Sequence, residues 1–277
     1  MKRRWYDGHT LILNSLSMNN PDISLIFVNF QSVYELSLAF QRLFSLELDR
    51  SIYEVIVVNN DPSEAVALEA LAQKLGFLLV SLPVNVGFGA AVNIGAKQAR
   101  GTLLGLLNPD TLWQKLMLSE IVDYFQVQKK ECLVGMTLLD EHQAIERLSH
   151  GAAPRMSHLI RSNLFPFTVR HSHLSIDWVS GGGLFLRKIL FERLGGFDER
   201  FFLYFEDVDF CLRALARGAS ITVQPQFTLL HRGGKSFSSR QAQKAHFYQS
   251  QKEYYAKHRP AWENIVLRYL HFILHDA

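Results

Sequence analysis

Five carboxylates, Asp198, Glu199, Glu206, Asp207 and Asp209, fall between positions 197 and 213 of this 277-residue chain, in a segment that is otherwise mostly aromatic and aliphatic. Desolvating an unpaired carboxylate is costly and raises its pKa, so acids in such surroundings are either paired or poised to take up a proton. A general base has that environment. The spacing predicts a helix over residues 206–217 in which Asp209 and Arg213 lie one turn apart and can pair, with Val208, Leu212 and Leu215 as its buried stripe. Glu206 and Asp207 then open the helix, where its dipole stabilises negative charge. Taken alone, that pair reads first as ordinary first-turn acids.

Four loops, each following an apolar run of strand length, offer further polar groups: Asn29-Phe30-Gln31-Ser32, Asn59-Asn60-Asp61-Pro62-Ser63, Asn85-Val86-Gly87-Phe88-Gly89 and Asn108-Pro109-Asp110-Thr111. Ligands of open α/β sheets bind outside the carboxyl ends of the strands, which is where these loops fall. Gly87 and Gly89, with Asp110 about twenty residues on, have part of a dinucleotide-binding spacing. Val92 stands in place of the third glycine, however, and the loop follows the third strand rather than the first. Asp110 ends a buried strand, so it must face solvent, a counter-charge or a cation. A divalent ion bound through phosphate oxygens asks for only one or two protein carboxylates. The competing role for Asp110 is a turn residue or a helix cap. His231-Arg232-Gly233-Gly234-Lys235-Ser236 follows another apolar stretch and carries groups suited to a metal or to phosphate oxygens. His142, His150, His158, His171 and His173 lack a paired-ligand spacing and read as a polar segment rather than a metal centre.

The elements that must position these groups alternate. Strands are predicted at residues 23–29, 55–58, 77–82, 103–107 and 132–136, and helices at 33–44, 64–75, 90–99 and 114–127. Continuous apolar strands between amphipathic helices imply a mainly parallel sheet covered on both faces. Residues 140–174 show no period. Regular structure returns at 178–186, in the acidic segment and at 220–223, and residues 241–275 are largely helical with a break near Pro260. Ile265, Leu267, Leu270 and Ile273 among Arg268, His271 and His275 make the last helix amphipathic, suited to packing on the domain or lying on a membrane surface. Residues 1–20 read as a loosely ordered leader.

With 48% hydrophobic residues the chain can bury a large core, and its net charge of +3 comes from scattered lysines and arginines. Scattered charge argues against nucleic acid and for anionic ligands or an anionic membrane surface. Cys132 and Cys211, far apart in apolar stretches, suit buried thiols in a reducing compartment. No apolar run approaches the roughly eighteen residues of a membrane-spanning helix. The expectation is a cytoplasmic protein, either free or peripheral on the inner face of the cytoplasmic membrane.

Taken in order, six landmarks resemble the inverting family 2 glycosyltransferases of the GT-A fold, and in particular their bacterial rhamnosyltransferase-like branch. They are the 23–29 strand, Glu54-Val-Ile-Val-Val-Asn-Asn60, Asn85-Val-Gly-Phe-Gly-Ala-Ala-Val-Asn93, Leu107-Asn-Pro-Asp110, Gly182-Gly-Leu-Phe-Leu-Arg187 leading to Gly195-Gly-Phe-Asp-Glu199, and Tyr204-Phe-Glu-Asp-Val-Asp209 with His231 downstream. The resemblance implies a three-layer α/β/α domain over residues 21–260. Residues 21–127 would form its nucleotide-sugar half and 128–260 its acceptor half, with 261–277 as a C-terminal amphipathic helix. It further implies a nucleotide sugar donor, dTDP-rhamnose first, a saccharide or lipid-linked saccharide acceptor in cell-surface polysaccharide synthesis, and Mg or Mn. Asp110 matches the last acid of the family's metal motif, whose first position is Asn108 here, and His231 matches its second ligand. Asp207 matches the general base, with Glu206 as its alternative. Asn29, Asn59, Asn85, Gly87, Phe88, Asn93, Arg232 and Lys235 would line the donor. Asn59 stands where the family usually has Asp, and its amide oxygen could still accept from a base imide. The competing functions are a non-catalytic sugar nucleotide binder and an NAD-dependent oxidoreductase.

Overall fold

The computed structural model describes residues 2–6, 9–13, 20–46, 49–115, 117–146, 149–157, 176–233 and 240–275. Its strands are β1 (Lys2–Tyr6), β2 (His9–Leu13), β3 (Ile23–Asn29), β4 (Tyr53–Asn59), β5 (Leu78–Ser81), β6 (Leu103–Leu107), β7 (Thr111–Trp113), β8 (Cys132–Leu139), β9 (His150–Gly151), β10 (Trp178–Val179), β11 (Gly183–Arg187) and β12 (Ser220–His231). The helices are α1 (Val33–Leu46), α2 (Ala65–Leu75), α3 (Phe88–Gln98), α4 (Leu118–Val127), α5 (Lys188–Arg193), α6 (Glu206–Ala216), α7 (Arg240–His258) and α8 (Ala261–His275).

One sheet takes ten of the strands in the order β1-β2-β5-β4-β3-β6-β11-β8-β12-β7. Its centre is parallel, β5-β4-β3-β6, and only β2, β11 and β7 run against the other strands. Every residue of β3 is buried, because successive side chains point to opposite faces and both faces are covered. Ile23, Leu25 and Phe27 pack with Leu36 and Phe40 of α1, Leu68 of α2 and Ile121 of α4. Ile26 and Val28 pack with Ala91, Val92 and Ala96 of α3 on the other face. The mostly parallel three-layer arrangement is therefore present. At Gly95 a Cβ would stand 2.8 Å from Ile26, so this glycine, rather than position 92, lets α3 settle close to the sheet.

Four features differ from the sequence reading. Residues 2–6 and 9–13, expected as leader, form two strands that pair antiparallel with each other, and the second also pairs with β5. The physical reason is the otherwise open edge of β5, whose N–H and C=O groups accept a further strand. β11 enters antiparallel between β6 and β8, pairing Gly183 with Leu107 and Leu184 with Gly135. The two apolar stretches after residue 219 are one strand, β12, with an irregularity between Gln224 and Thr228. The fully buried positions of α6 are Glu206, Val208, Asp209, Phe210, Cys211 and Ala214, with Leu212 and Leu215 only partly covered.

A third cluster joins Phe201, Phe205 and Val208 around the start of α6 to Tyr254 and Tyr255 of α7 and Leu267 of α8. The last two helices thus brace the acidic segment. Both cysteines are buried and unpaired. None of the described helices is long and apolar enough to cross a membrane.

Candidate active site

The registers Asn29 with Asn59 and Phe27 with Leu107 bring the carboxyl ends of β3, β4 and β6 to one edge of the sheet, so Asn29, Asn59 and Asn108 leave it together. Asn29 Nδ2 donates to Asn59 Oδ1 at 3.1 Å and to Glu64 Oε2 at 2.7 Å, and Ser32 N donates to the same Glu64 oxygen. Asn59 Oδ1 also accepts from the Asp61 amide at 3.0 Å, which fixes how its side chain is oriented. Its Nδ2 is buried without a partner. The oxygen expected to accept from a nucleobase is thus already engaged, and what Asn59 leaves open is a donor. That departs from the sequence expectation, because Asn29 and the Asp61 amide both aim at the oxygen.

The glycine loop is built by asparagines. Asn60 donates to Asn85 Oδ1 at 2.8 Å and to the Gly87 carbonyl at 3.2 Å, and it accepts from the Val86 amide at 2.9 Å. Gly87 sits at φ +87°, and a Cβ there would collide with the Phe202 carbonyl oxygen. Only glycine meets both demands. The next amide, Phe88 N, donates to that carbonyl at 2.9 Å, which ties the loop to the acidic segment. Asn93, expected to line the donor, instead clamps α3 to residues 197–199. Its Nδ2 donates to Phe197 O and Glu199 Oε1, and its Oδ1 accepts from Phe197 N at 2.8 Å.

Tyr204 and Phe205 both adopt left-handed backbone angles, φ 68° and 67°, immediately before α6. Such positions cost about 1–3 kcal/mol each for residues other than glycine and gather at functional sites. They turn the chain so that Glu206 and Asp207 open the helix. Asp207 Oδ1 accepts from the Val208 amide at 2.8 Å and Oδ2 from the Gly181 amide at 3.2 Å. Gly182 in turn accepts from the Asn108 amide at 3.2 Å, and a Cβ on Gly182 would press on the Asn108 side chain. This pair of glycines is what brings Asp207 to the Asn108-Pro109-Asp110 turn. Burial pushes Asp207 above the ordinary carboxylate range, and the amides of Gly181 and Val208 pull the other way without cancelling it. Glu206, 5% exposed, is raised well above its ordinary value by burial and then by its charged neighbour Asp207. Its Oε2 has no hydrogen-bond partner. A partly exposed carboxylate held by two amides can stay ionised and accept a proton, whereas the buried Glu206 is better held neutral.

Asp209 lies in the same turn but points away. It is fully buried and paired with Arg213 at 2.8 Å, Lys257 at 2.6 Å and His258 at 2.6 Å. Lys257 also reaches Asp198 at 2.6 Å, so the end of α7 holds the acidic segment from both sides.

Asp110 and His231 meet because β7 pairs with β12 and sets Thr111 opposite His231. His231 Nε2 is 3.2 Å from Asp110 Oδ2, and Nδ1 is 2.8 Å from Glu146 Oε1. Burial alone would lower the histidine, but Asp110 and Glu146 outweigh it and raise its pKa to about 9. Two ligand atoms on one divalent ion with bonds of about 2.1 Å stand about 3 Å apart, so the Asp110–His231 spacing fits a shared cation. Among the described residues no group of three ligand side chains gathers, and a cation here would draw its remaining ligands from phosphate oxygens or water. Arg232 is exposed, its amide donating to the Asp110 carbonyl at 3.1 Å. Lys235 lies outside the described residues, as do His158, His171 and His173.

Residues 25–176 match the family model Glycosyl transferase family 2, which is more than half of the chain. The chain belongs to that family. This glycosyltransferase is 25% identical over 221 residues to the N-acetylglucosaminyl-diphospho-decaprenol L-rhamnosyltransferase of Mycobacterium tuberculosis, covering 69% of this chain and 70% of that one. It is 26% identical over 203 residues to rhamnosyltransferase WbbL of Escherichia coli K12, covering 68% and 76%. Its fold is that of the GT-A glycosyltransferases. The mannosyltransferase PcManGT of Pyrobaculum calidifontis, solved with GDP-Man and Mn2+, superposes with a TM-score of 0.60 at 16% identity over 94% of this chain and 72% of that one.

Asn60, Glu64 and Glu146 were not singled out from the sequence. Asn60 sits inside one of the four loops, so its position was the available signal. Glu146 lies in the aperiodic 140–149 stretch, 85 residues from His231, and nothing local marks it.

Proposed function

We propose that this family 2 glycosyltransferase moves a sugar, rhamnose from dTDP-rhamnose first, onto a saccharide or lipid-linked saccharide hydroxyl with inversion, in bacterial surface polysaccharide synthesis. The observation that carries the reading is the position of Asp207: partly exposed, held by two amides, and linked through Gly181 and Gly182 to the turn that bears Asp110. Asp207 takes the proton of the acceptor hydroxyl as that oxygen bonds to the anomeric carbon. The bond from that carbon to the diphosphate breaks on the opposite face, and its electron pair leaves with the diphosphate. Asp110 and His231 would hold a divalent cation, which supplies charge neutralisation to the departing diphosphate. Arg232 stands next to that pair, and the partly exposed Asn85, Phe88 and Asn108 would meet the nucleotide, with Asn29, Asn59 and Gly87 buried behind them. The rhamnosyl donor is supported by the names of both relatives, and the lipid-linked acceptor by that of the Mycobacterium tuberculosis enzyme.

A thermal shift panel tests the donor. The panel sets dTDP-rhamnose, UDP-glucose, UDP-galactose, GDP-mannose and NAD against the wild type and Asp110→Ala, each with and without Mn2+ or Mg2+. A ligand held at 100 times its Kd adds about 2.7 kcal/mol of stability. The expected result is a metal-dependent rise with dTDP-rhamnose that Asp110→Ala abolishes. A rise with NAD alone would sink the reading.

Peripheral membrane contact belongs to the same reading. Trp262, Ile265 and Tyr269, spaced along one side of α8, are 58%, 68% and 64% exposed, while Leu267 is buried against the acidic segment. Aromatic residues on an amphipathic helix suit a lipid headgroup region. The protein should co-sediment with phosphatidylglycerol vesicles at low salt and lose most of that binding in Trp262→Ser/Ile265→Ser. A wild type left wholly in the supernatant would rule the contact out.

A further inference from the structure

A histidine offers a cation one lone pair, and which nitrogen offers it is decided by what the other nitrogen does. At His231 that decision falls to Glu146. An ionised carboxylate can only accept, so Nδ1, 2.8 Å from Glu146 Oε1, must carry a hydrogen. In the neutral ring the lone pair is then on Nε2, the atom 3.2 Å from Asp110 Oδ2.

Glu146 is itself held for this task. Its amide donates to the Leu138 carbonyl at 2.9 Å, and its carbonyl accepts from the Ser149 hydroxyl at 2.9 Å. The loop before it closes on Asp140, whose Oδ1 accepts from the amides of His142 and Ala144. Ile145 bridges back to Leu139 at the end of β8. β8 lies beside β12, with Leu139 opposite Leu230, so the loop that carries Glu146 is anchored next to the strand end that carries His231. The side chain of Glu146 is 26% exposed and makes no other described salt bridge.

We infer that Glu146 is a positioning residue: its carboxylate accepts from His231 Nδ1 and so presents Nε2, beside Asp110, to a divalent cation. The inference rests on the proposed cation site and assigns a role to a residue outside both ligands. Removing a carboxylate that orients a ligating histidine lowers metal affinity by about 10–100-fold.

The test measures Mn2+ affinity through the electron paramagnetic resonance signal of the free ion. It compares wild type, Asp110→Ala, Glu146→Ala and Glu146→Gln, each alone and with saturating dTDP, after circular dichroism and melting have established that the variants fold. Glu146→Ala should weaken Mn2+ by about 10–100-fold. Glu146→Gln should recover most of that loss, because its amide oxygen still accepts from Nδ1. Wild-type affinity in Glu146→Ala would overturn the inference, and so would an equal loss in both variants, since charge rather than orientation would then be the cause. If the wild type binds no Mn2+, or Asp110→Ala binds as well as wild type, the cation site itself fails, and the two failures are told apart.

Discussion

Replacing Asp207 with Asn is expected to lower kcat by about 10²–10⁴-fold, the usual contribution of a positioned general base, while the thermal shift produced by the donor stays intact. Asn keeps the size of the side chain and one oxygen to accept from Gly181 or Val208, so the loss is chemical. Glu206→Gln is the companion. If Glu206 is held neutral, Gln replaces like with like and most activity survives. Stability moves in the opposite sense. Burial and the charge of Asp207 raise the pKa of Glu206, so its folded form holds a proton that the unfolded chain has released. Its favourable contribution is present below the ordinary glutamate range and is lost as pH rises through the raised value. Glu206→Gln should therefore melt no lower than wild type at neutral pH, and higher as the pH increases. Because Asp207 is raised by burial as well, the acid limb of kcat/KM should lie above 3.8, the ordinary aspartate value. A Glu206→Gln enzyme as dead as the reading requires Asp207→Asn to be, together with an active Asp207→Asn, would exchange the two roles.

The second large effect concerns stability. Asp209→Ala should cost about 3–5 kcal/mol at neutral pH, because it strands Arg213, Lys257 and His258 around a buried site that held one carboxylate. A fall in Tm on the order of 10 °C follows for a chain of this size. Burial acts to raise Asp209, but His258, Lys257 and Arg213 prevail and hold it below the ordinary range. Its contribution is complete above the unfolded aspartate value and is lost as pH falls through the lower folded one. The gap between variant and wild type should thus be full at pH 7 and close in acid. Melting curves across pH check this, and equal Tm values at neutral pH would refute it. Activity should fall with stability, since the same helix carries Asp207.

These two neighbours show what the sequence made legible. The pairing of Asp209 with Arg213 follows from helical spacing alone, and the salt bridge is there. Lys257 and His258 reach Asp209 from 48 and 49 positions away across a tertiary contact that no local pattern encodes. The same division holds for the fold. β3, β4 and β6 are continuous apolar runs, and their length and composition place the binding edge. β7 is three residues long, too short to carry a period, yet it is the strand that sets Asp110 beside His231. The pairing of residues 2–6 with 9–13 had one usable sign in the sequence, the Asp-Gly dipeptide between the two stretches, a pair that favours tight turns. The donor-lining role of Asn93 is implied by the family resemblance, but its partners in the structure are Phe197 and Glu199, over a hundred residues on.

Helix α3 joins the central sheet to the acidic segment. It rests on the sheet through Gly95, and it holds the acidic segment through Asn93 and the Phe88 amide. For anyone recombining relatives, this means that residues 21–127 are not an interchangeable cassette. A graft taken at that boundary would separate Asn93 from Phe197 and Glu199, and Gly87 from Phe202. A chimera that keeps the parental seam must carry residues 195–202 along with the glycine loop. Donor choice and the placement of the base would then be inherited together, through one helix.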